Sequence, residues 1–99
     1  MIAMKILQSR SFRNKVKKLA KKEKQVLDKE VKKIFKDPSV GVEKKGDLRG
    51  VFVHKFKIKA GLYLLSYRMK NDNLELVMLG PHENYYKELK KYLKKPIRY

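Results

Sequence analysis

The hydrophobic period of this 99-residue chain changes close to Leu48, and this change limits the possible folds more than any other feature. Before it, apolar residues recur every three or four positions, as they do on one face of an α-helix. After it, apolar and polar residues alternate over several stretches, as they do in a β-strand with one buried face. We therefore predict an α+β protein in which the helices pack on one face of a sheet.

The first half of the chain predicts an N-terminal strand followed by a helical hairpin. The strand is expected over residues 3–8, and Ser9 or Ser11 can cap the helix that follows. A second helix ends at Asp37-Pro38, because proline cannot continue a helix and restricts the residue before it. The apolar positions that define the two helices are Phe12, Val16 and Leu19, then Leu27, Val31, Ile34 and Phe35.

The second half predicts a three-stranded antiparallel meander and a C-terminal helix. Turns are expected at Ala60-Gly61 and at Asn71-Asp72-Asn73, and Gly80-Pro81 closes the last strand. The strands are expected over residues 50–59, 62–68 and 74–79, and the helix over residues 83–93. Because so short a chain cannot carry two independent domains, residues 1–99 are expected to form one.

The composition indicates the class of partner. The chain has 27 Lys and Arg residues against 10 Asp and Glu, a net charge of +17, which predicts nucleic acid, a membrane surface or an acidic protein as the partner. With no Cys and only two His, neither thiolate chemistry nor a metal site is expected. No apolar run approaches the about 20 residues of a membrane span, and no signal peptide is evident. We expect a cytoplasmic protein that needs no membrane and no small-molecule cofactor.

Three lysines alternate along the first strand of the meander. Lys55, Lys57 and Lys59 are expected to share one face, about 7 Å apart, whereas the opposite face carries Phe52, His54, Phe56 and Ile58. Such a row suits a phosphate backbone, since each ammonium is a compact charge with three donors. The same row would also protect an exposed strand from aggregation, and both interpretations remain open at this point. His54 is expected to be a packed histidine.

A second candidate feature lies where the last strand gives way to the C-terminal helix. His82 can exchange a proton near neutral pH, and Tyr86 follows it by about one helical turn. Cations, one imidazole and one phenol are sufficient for RNA cleavage without a metal. A base removes the 2′-OH proton, lysines stabilise the phosphate, an acid protonates the leaving oxygen, and an aromatic ring stacks on a base. In the alternative interpretation, His82 only helps to cap the helix and the tyrosines belong to the core.

Five motifs, in this order and at this spacing, resemble the RelE/ParE superfamily of toxins from bacterial type II toxin–antitoxin systems. The resemblance extends from Phe12 to Tyr92. It rests on the helical hairpin that ends at Asp37-Pro38, Gly46-Asp-Leu-Arg-Gly50, Phe56-Lys-Ile-Lys59, Gly61-Leu-Tyr-Leu-Leu-Ser-Tyr67 and Leu79-Gly-Pro-His-Glu-Asn-Tyr-Tyr86. It implies that an acidic antitoxin binds the toxin. Members of the RelE branch cleave mRNA in the ribosomal A site without a metal, whereas ParE-like members inhibit DNA gyrase.

The resemblance also assigns roles to individual residues. The RelE-type lysine pair corresponds to Lys57 and Lys59, the arginine of Leu-Arg-Gly to Arg49, the terminal catalytic position to His82, and the following aromatic to Tyr86. These assignments make His82, Tyr86, Lys57 and Lys59 the expected catalytic residues.

The phosphate-binding set contains one departure from the RelE pattern. Leu64 stands where RelE-like members usually carry Arg. Arg68, on the same strand face, or Lys55 could replace that cation. Tyr85 is an offset alternative to Tyr86 for contact with RNA.

Three functions remain as hypotheses. The favoured one is a ribosome-dependent mRNA endoribonuclease whose partners are the ribosome, mRNA and a cognate acidic antitoxin. The second is a gyrase inhibitor of the ParE kind. The third is a non-catalytic RNA- or ribosome-binding module, for which the positive charge alone would suffice.

Overall fold

The computed structural model describes residues 5–99 and contains five strands and three α-helices within that range. The strands are β1 (Ile6–Gln8), β2 (Val42–Glu43), β3 (Phe52–Ile58), β4 (Gly61–Lys70) and β5 (Asn73–Pro81). The helices are α1 (Arg10–Lys17), α2 (Lys21–Lys36) and α3 (Tyr85–Leu93), and short 3-10 turns occupy Pro38–Val40 and Gly46–Leu48. The α+β class and the predicted order of elements are confirmed. Ala3 and Met4 of the predicted first strand lie outside the described residues.

One mixed sheet, in the order β1-β5-β4-β3-β2, organises the molecule. Strands β3, β4 and β5 form the predicted antiparallel meander, and β1 joins β5 in parallel with Ile6 opposite Leu74. The two turns of the meander contain residues with positive φ: Lys59 at 55°, then Asn71 at 53° and Asp72 at 63°. Lys59 therefore belongs to a turn and does not continue the alternation of β3.

The edge strand β2 was not predicted, because two residues are too few to produce an alternating pattern. Val42 pairs with Val53. The segment between α2 and β2 is bound to the sheet by one side chain, that of Tyr67 in β4. The hydroxyl of Tyr67 donates to the carbonyl of Pro38 at 2.5 Å and accepts from the N–H of Gly41 at 2.9 Å. The segment that leaves α2 is thus fixed to the middle of the sheet.

Helices α1 and α2 pack on one face of the sheet, as predicted. Ser9 begins α1: its hydroxyl accepts from the N–H of Phe12 at 3.0 Å and donates to the carbonyl of Val77 at 2.5 Å, which ties the helix cap to β5. The buried residues of this first core include Phe12, Leu19, Leu27 and Ile34 from the helical half and Phe56, Ile58, Leu65, Tyr67, Leu74, Leu76 and Leu79 from the sheet.

Helix α3 packs on the opposite face, which corrects the prediction that all helices lie on one side. Leu64 and Leu65 are adjacent in β4 and both fully buried, so the strand is covered on both faces. The second core comprises Leu48, Val51, Val53, Leu64, Val77, Met78, Tyr85 and Leu89. No helix within residues 5–99 is long and apolar enough to cross a membrane.

His54 joins the sheet to α2, in agreement with its expected structural role. Its Nε2 lies 2.7 Å from Oε1 of Glu30, and Lys33 contacts the other oxygen of the same carboxylate at 3.1 Å. Burial alone would raise the pKa of Glu30, but the hydrogen bonds from His54 and Lys33 hold that pKa below its ordinary value. His54 therefore lies on the face opposite to the lysine row.

Candidate functional site

Two exposed lysines project from β3 on the face that carries α3. Lys55 lies opposite Leu64 of β4, and Lys57 lies opposite Leu62. Val53, the preceding residue of the same face, is buried in the second core, whereas Lys55 and Lys57 are exposed. The row predicted from sequence thus has two members on the strand, and Lys59 extends it only as part of the adjoining turn.

His82 lies in the same cross-strand row as Lys57. Its N–H donates to the carbonyl of Leu62 at 3.0 Å, and its own carbonyl accepts from the N–H of Tyr85 at 3.3 Å. Lys57 of β3 and His82, the residue after β5, therefore flank Leu62 on its two sides, with backbones about 10 Å apart, or two strand spacings. Both side chains are exposed. A phosphodiester lying over Leu62 is within reach of both.

Tyr86, the second residue of α3, contacts Lys44, the residue after β2. The ammonium of Lys44 lies 5.0 Å from the centroid of the Tyr86 ring, a cation–π contact, and the ring is partly buried against the second core. Lys44 was missed in the sequence because it follows the unpredicted strand β2 and no spacing rule connects it with α3. Tyr86 thus presents a supported aromatic surface with a cation beside it.

Arg49 lies in the loop between the second 3-10 turn and β3, between two residues of the second core, Leu48 and Val51. Its side chain is exposed. Among residues 5–99, the three ion pairs are Lys33–Glu30, His54–Glu30 and Arg68–Glu75. Arg49 and Lys57 lie at opposite ends of β3, and both are absent from these pairs. Their charges are therefore available to an external anion.

Arg68, expected to bind RNA, instead forms an ion pair with a buried glutamate. Its Nε lies 3.2 Å from Oε2 of Glu75, which is 1% exposed and also accepts from the hydroxyl of Tyr99. Arg68 also lies four residues from Leu64 along β4, about 13 Å, toward the far end of the strand. Its charge neutralises a buried carboxylate, and the structure removes Arg68 from the candidate site.

Tyr85 is a core residue, which corrects its assignment to RNA contact. It is 1% exposed, and its hydroxyl contacts the carbonyl of Met78 at 2.7 Å and Oγ of Ser66 at 2.8 Å. Burial raises the pKa of this hydroxyl above its ordinary value. The residue before it, Asn84, has φ 58° and stands at the N-terminus of α3.

The family comparison agrees with the superfamily that the motifs indicated. The family described as ParE-like toxin of type II bacterial toxin-antitoxin system matches residues 6–90. No curated protein matches the sequence. Among solved structures, a double mutant of the E. coli toxin RelE in the free state superposes with a TM-score of 0.67, at 15% identity, over 92% of this chain and 94% of that one. At this identity the superposition shows a shared fold.

Proposed function

Because the chain belongs to the family of ParE-like toxins of type II toxin–antitoxin systems, we propose that it cuts mRNA on the ribosome and that an acidic antitoxin neutralises it. One observation carries this proposal: Lys57 and His82, an exposed cation and an exposed imidazole, flank the same residue of β4. A phosphodiester held between them meets both a charge and a proton-transfer group. The expected cytoplasmic location follows from this target.

The proposed reaction needs no group beyond the side chains and the RNA. The 2′-oxygen of the ribose attacks phosphorus while the bond from phosphorus to the 5′-oxygen of the next nucleotide breaks. The products are a 2′,3′-cyclic phosphate and a 5′-OH end. One proton leaves the 2′-oxygen and one arrives at the departing 5′-oxygen, and His82 carries one of these transfers as base or as acid.

The cations supply the electrostatic part of the mechanism. Negative charge accumulates on the phosphoryl oxygens as the new bond forms, and Lys57 stabilises it most directly from across Leu62. Lys59 binds a neighbouring phosphate from the turn after β3, and Arg49, in the loop before β3, binds a more distant phosphate of the same RNA. Tyr86, with Lys44 at its face, stacks on a base and orients the sugar that reacts.

Lys55 replaces the arginine that RelE-like members usually carry at the position of Leu64 in this chain. Leu64 is fully buried in the second core, so β4 offers no cation at this point. Lys55 is its direct partner across the strand pair and is exposed. The required charge is thus supplied from β3, one strand spacing away.

A cell-free translation reaction with mapped mRNA ends tests the proposal. Purified wild-type protein is expected to produce cuts within the codon in the A site, whereas His82→Ala and Lys57→Ala lose them by at least a hundredfold. Lys70→Ala, at the exposed far end of β4, is the matched lysine control and is expected to cut normally. If both site variants cut as the wild type does, the assignment is wrong.

Gyrase inhibition is the second candidate, and the matched family itself favours it because its description names ParE. The buried Leu64 adds support, since this position lacks the cation of the ribonuclease branch. A supercoiling assay with purified gyrase separates the two. Loss of supercoiling by wild type and His82→Ala alike, with intact mRNA in the translation reaction, would establish the gyrase function instead.

A further inference from the structure

A groove of about 1050 Å³ lies between α1 and α3, on the side of α3 away from Lys57. Its floor is the last part of β5, residues 78–81, and its walls come from α1 and from α3 with the C-terminal segment that follows. Arg10 stands on the first wall and Lys91 on the second, and both are exposed. The C-terminal segment closes one end, where the carbonyl of Arg98 accepts from the N–H of Arg10 at 2.6 Å.

The floor of this α1–α3 groove is a strand edge without a neighbouring strand. β1 pairs with β5 only from Leu74 to Leu76, and the described chain places no strand beside residues 78–81 on that side. The side chains on or beside this floor are mostly apolar: Met78, Leu79, Pro81, Tyr92 and Pro96. An extended segment with alternating apolar residues fits such a surface. In sheet addition, the backbone of a peptide pairs with a free strand edge, and its alternate side chains pack on the apolar surface beside that edge.

The walls of the groove are strongly basic. Seven Lys and Arg side chains line it, against a single acidic one, Glu88. None of the seven takes part in an ion pair among residues 5–99. This charge is complementary to an acidic occupant, which it would also attract over a distance.

We infer that the α1–α3 groove is the docking surface for an acidic segment of the antitoxin, with apolar side chains on the floor and carboxylates against the walls. This inference rests on the antitoxin of the proposed function, not on the chemistry of RNA cleavage. The apolar floor favours a polypeptide over RNA, whose phosphates would find charge only on the walls. Lys55, Lys57, His82 and Tyr86 do not line the groove, whose floor ends at Pro81, the residue before His82.

Fluorescence anisotropy with defined peptides tests the inference on the full chain. The probe is a fluorescein-labelled decapeptide of alternating Leu and Glu, and a decapeptide of alternating Ser and Glu has the same charge without the apolar side chains. We expect the Leu-Glu peptide to bind at least fivefold more tightly, in near-physiological salt. Equal affinity for both peptides would show that charge alone attracts them and would overturn the inference.

Matched charge reversals locate the binding surface. Arg10→Glu/Lys91→Glu changes both walls and is expected to weaken the Leu-Glu peptide at least tenfold. Lys22→Glu/Lys29→Glu makes the same change of net charge on exposed positions of α2 and is expected to weaken it less than threefold. Equal losses of peptide affinity in the two double variants would contradict a groove site. A labelled decauridylate serves as the nucleic-acid probe. If the wall variant weakens binding of decauridylate alone and not of the Leu-Glu peptide, the groove is a nucleic-acid surface and the inference is wrong.

The cleavage assay distinguishes failure of this inference from failure of the proposed function. Arg10→Glu/Lys91→Glu is expected to cut mRNA as the wild type does, since neither residue belongs to the candidate catalytic site. Peptide binding in the groove by a protein that does not cut mRNA would leave the docking surface established and refute only the ribonuclease. Cleavage of mRNA without groove-dependent peptide binding would refute the docking surface and leave the ribonuclease function supported. Melting temperatures of both double variants confirm that they fold.

Discussion

Replacement of Leu64 by arginine restores the residue that RelE-like toxins carry, and the structure predicts that the protein will not tolerate it. The side chain is fully buried among the apolar residues of the second core. Its partners across the two adjoining strands are Lys55 and Gly80. The ammonium of Lys55 would repel a guanidinium, and Gly80 has no side chain that could accept a hydrogen bond from it. A guanidinium at this position would be an uncompensated buried charge.

The cost can be estimated from these surroundings. An unpaired charge left in a protein interior destabilises by about 3–5 kcal/mol, a large part of the about 5–15 kcal/mol that stabilises a domain. Because 1 kcal/mol corresponds to about 4–8 °C in a chain of this size, Leu64→Arg should lower the melting temperature by at least about 12 °C. Leu64→Met conserves the volume and should cost less than about 1.5 kcal/mol.

Urea and thermal unfolding, followed by circular dichroism, provide the measurement. A loss below about 1 kcal/mol for Leu64→Arg would refute the reasoning, since it would mean that the guanidinium reaches solvent or an anion from this position. The functional counterpart is Lys55→Ala, which should reduce cleavage at least tenfold if Lys55 replaces the missing arginine. Normal cleavage by Lys55→Ala would show that the site works without either cation.

Three further predictions concern buried polar groups. Tyr85→Phe should destabilise by about 1–3 kcal/mol in urea unfolding, because it removes the hydroxyl that contacts Ser66 and the Met78 carbonyl; an unchanged midpoint would contradict these contacts. Tyr92→Phe should instead stabilise by about 1 kcal/mol, because the buried Tyr92 hydroxyl has no hydrogen-bond partner among residues 5–99, and a loss of stability would show that it has one. Glu30→Gln should be less stable than wild type at pH 7, and the difference should shrink as pH falls below 4.5. A carboxylate with a lowered pKa contributes stability that is present above its ordinary pKa and is lost as the folded-state pKa is passed, so a pH-independent difference would argue against the Glu30 contacts.

The elements with a clear period were predictable from the sequence. Leu27 and Ile34, two turns apart, are both buried in α2, and the helix ends at Lys36, directly before Asp37-Pro38. The three strands of the meander follow from their turn residues in the same way. These features depend on local patterns, which a sequence displays directly.

The face chosen by α3 and the identity of its buried tyrosine were not predictable. Two adjacent tyrosines fit a helical face equally well, and only the structure shows that Tyr85 faces inward whereas Tyr86 is partly exposed. The near-continuous apolar run of β5, residues 74–80, does indicate a strand covered on both faces, but it does not show which helix covers which face.

Side-chain contacts between elements determined the rest of the candidate site. The ion pair of Arg68 with Glu75 joins the consecutive strands β4 and β5, and the contact of Lys44 with Tyr86 joins the segment after β2 to α3. A count of charges treats every lysine and arginine as equally free to bind an external phosphate. Only the fold shows that Arg68 is occupied, that Lys59 lies in a turn, and that Lys57 and His82 meet at Leu62.

A single 2′-deoxynucleotide in the message tests the central claim, metal-independent cleavage by the Lys57–His82 site, most directly. Two mRNAs are translated in the presence of the toxin, identical except that one lacks the 2′-OH at the nucleotide where the wild-type message is cut. The account predicts that the ribose message is cut to a 2′,3′-cyclic phosphate and a 5′-OH end, whereas the deoxy message remains whole at that position. Equal cutting of both messages, or no cutting of either, would contradict it.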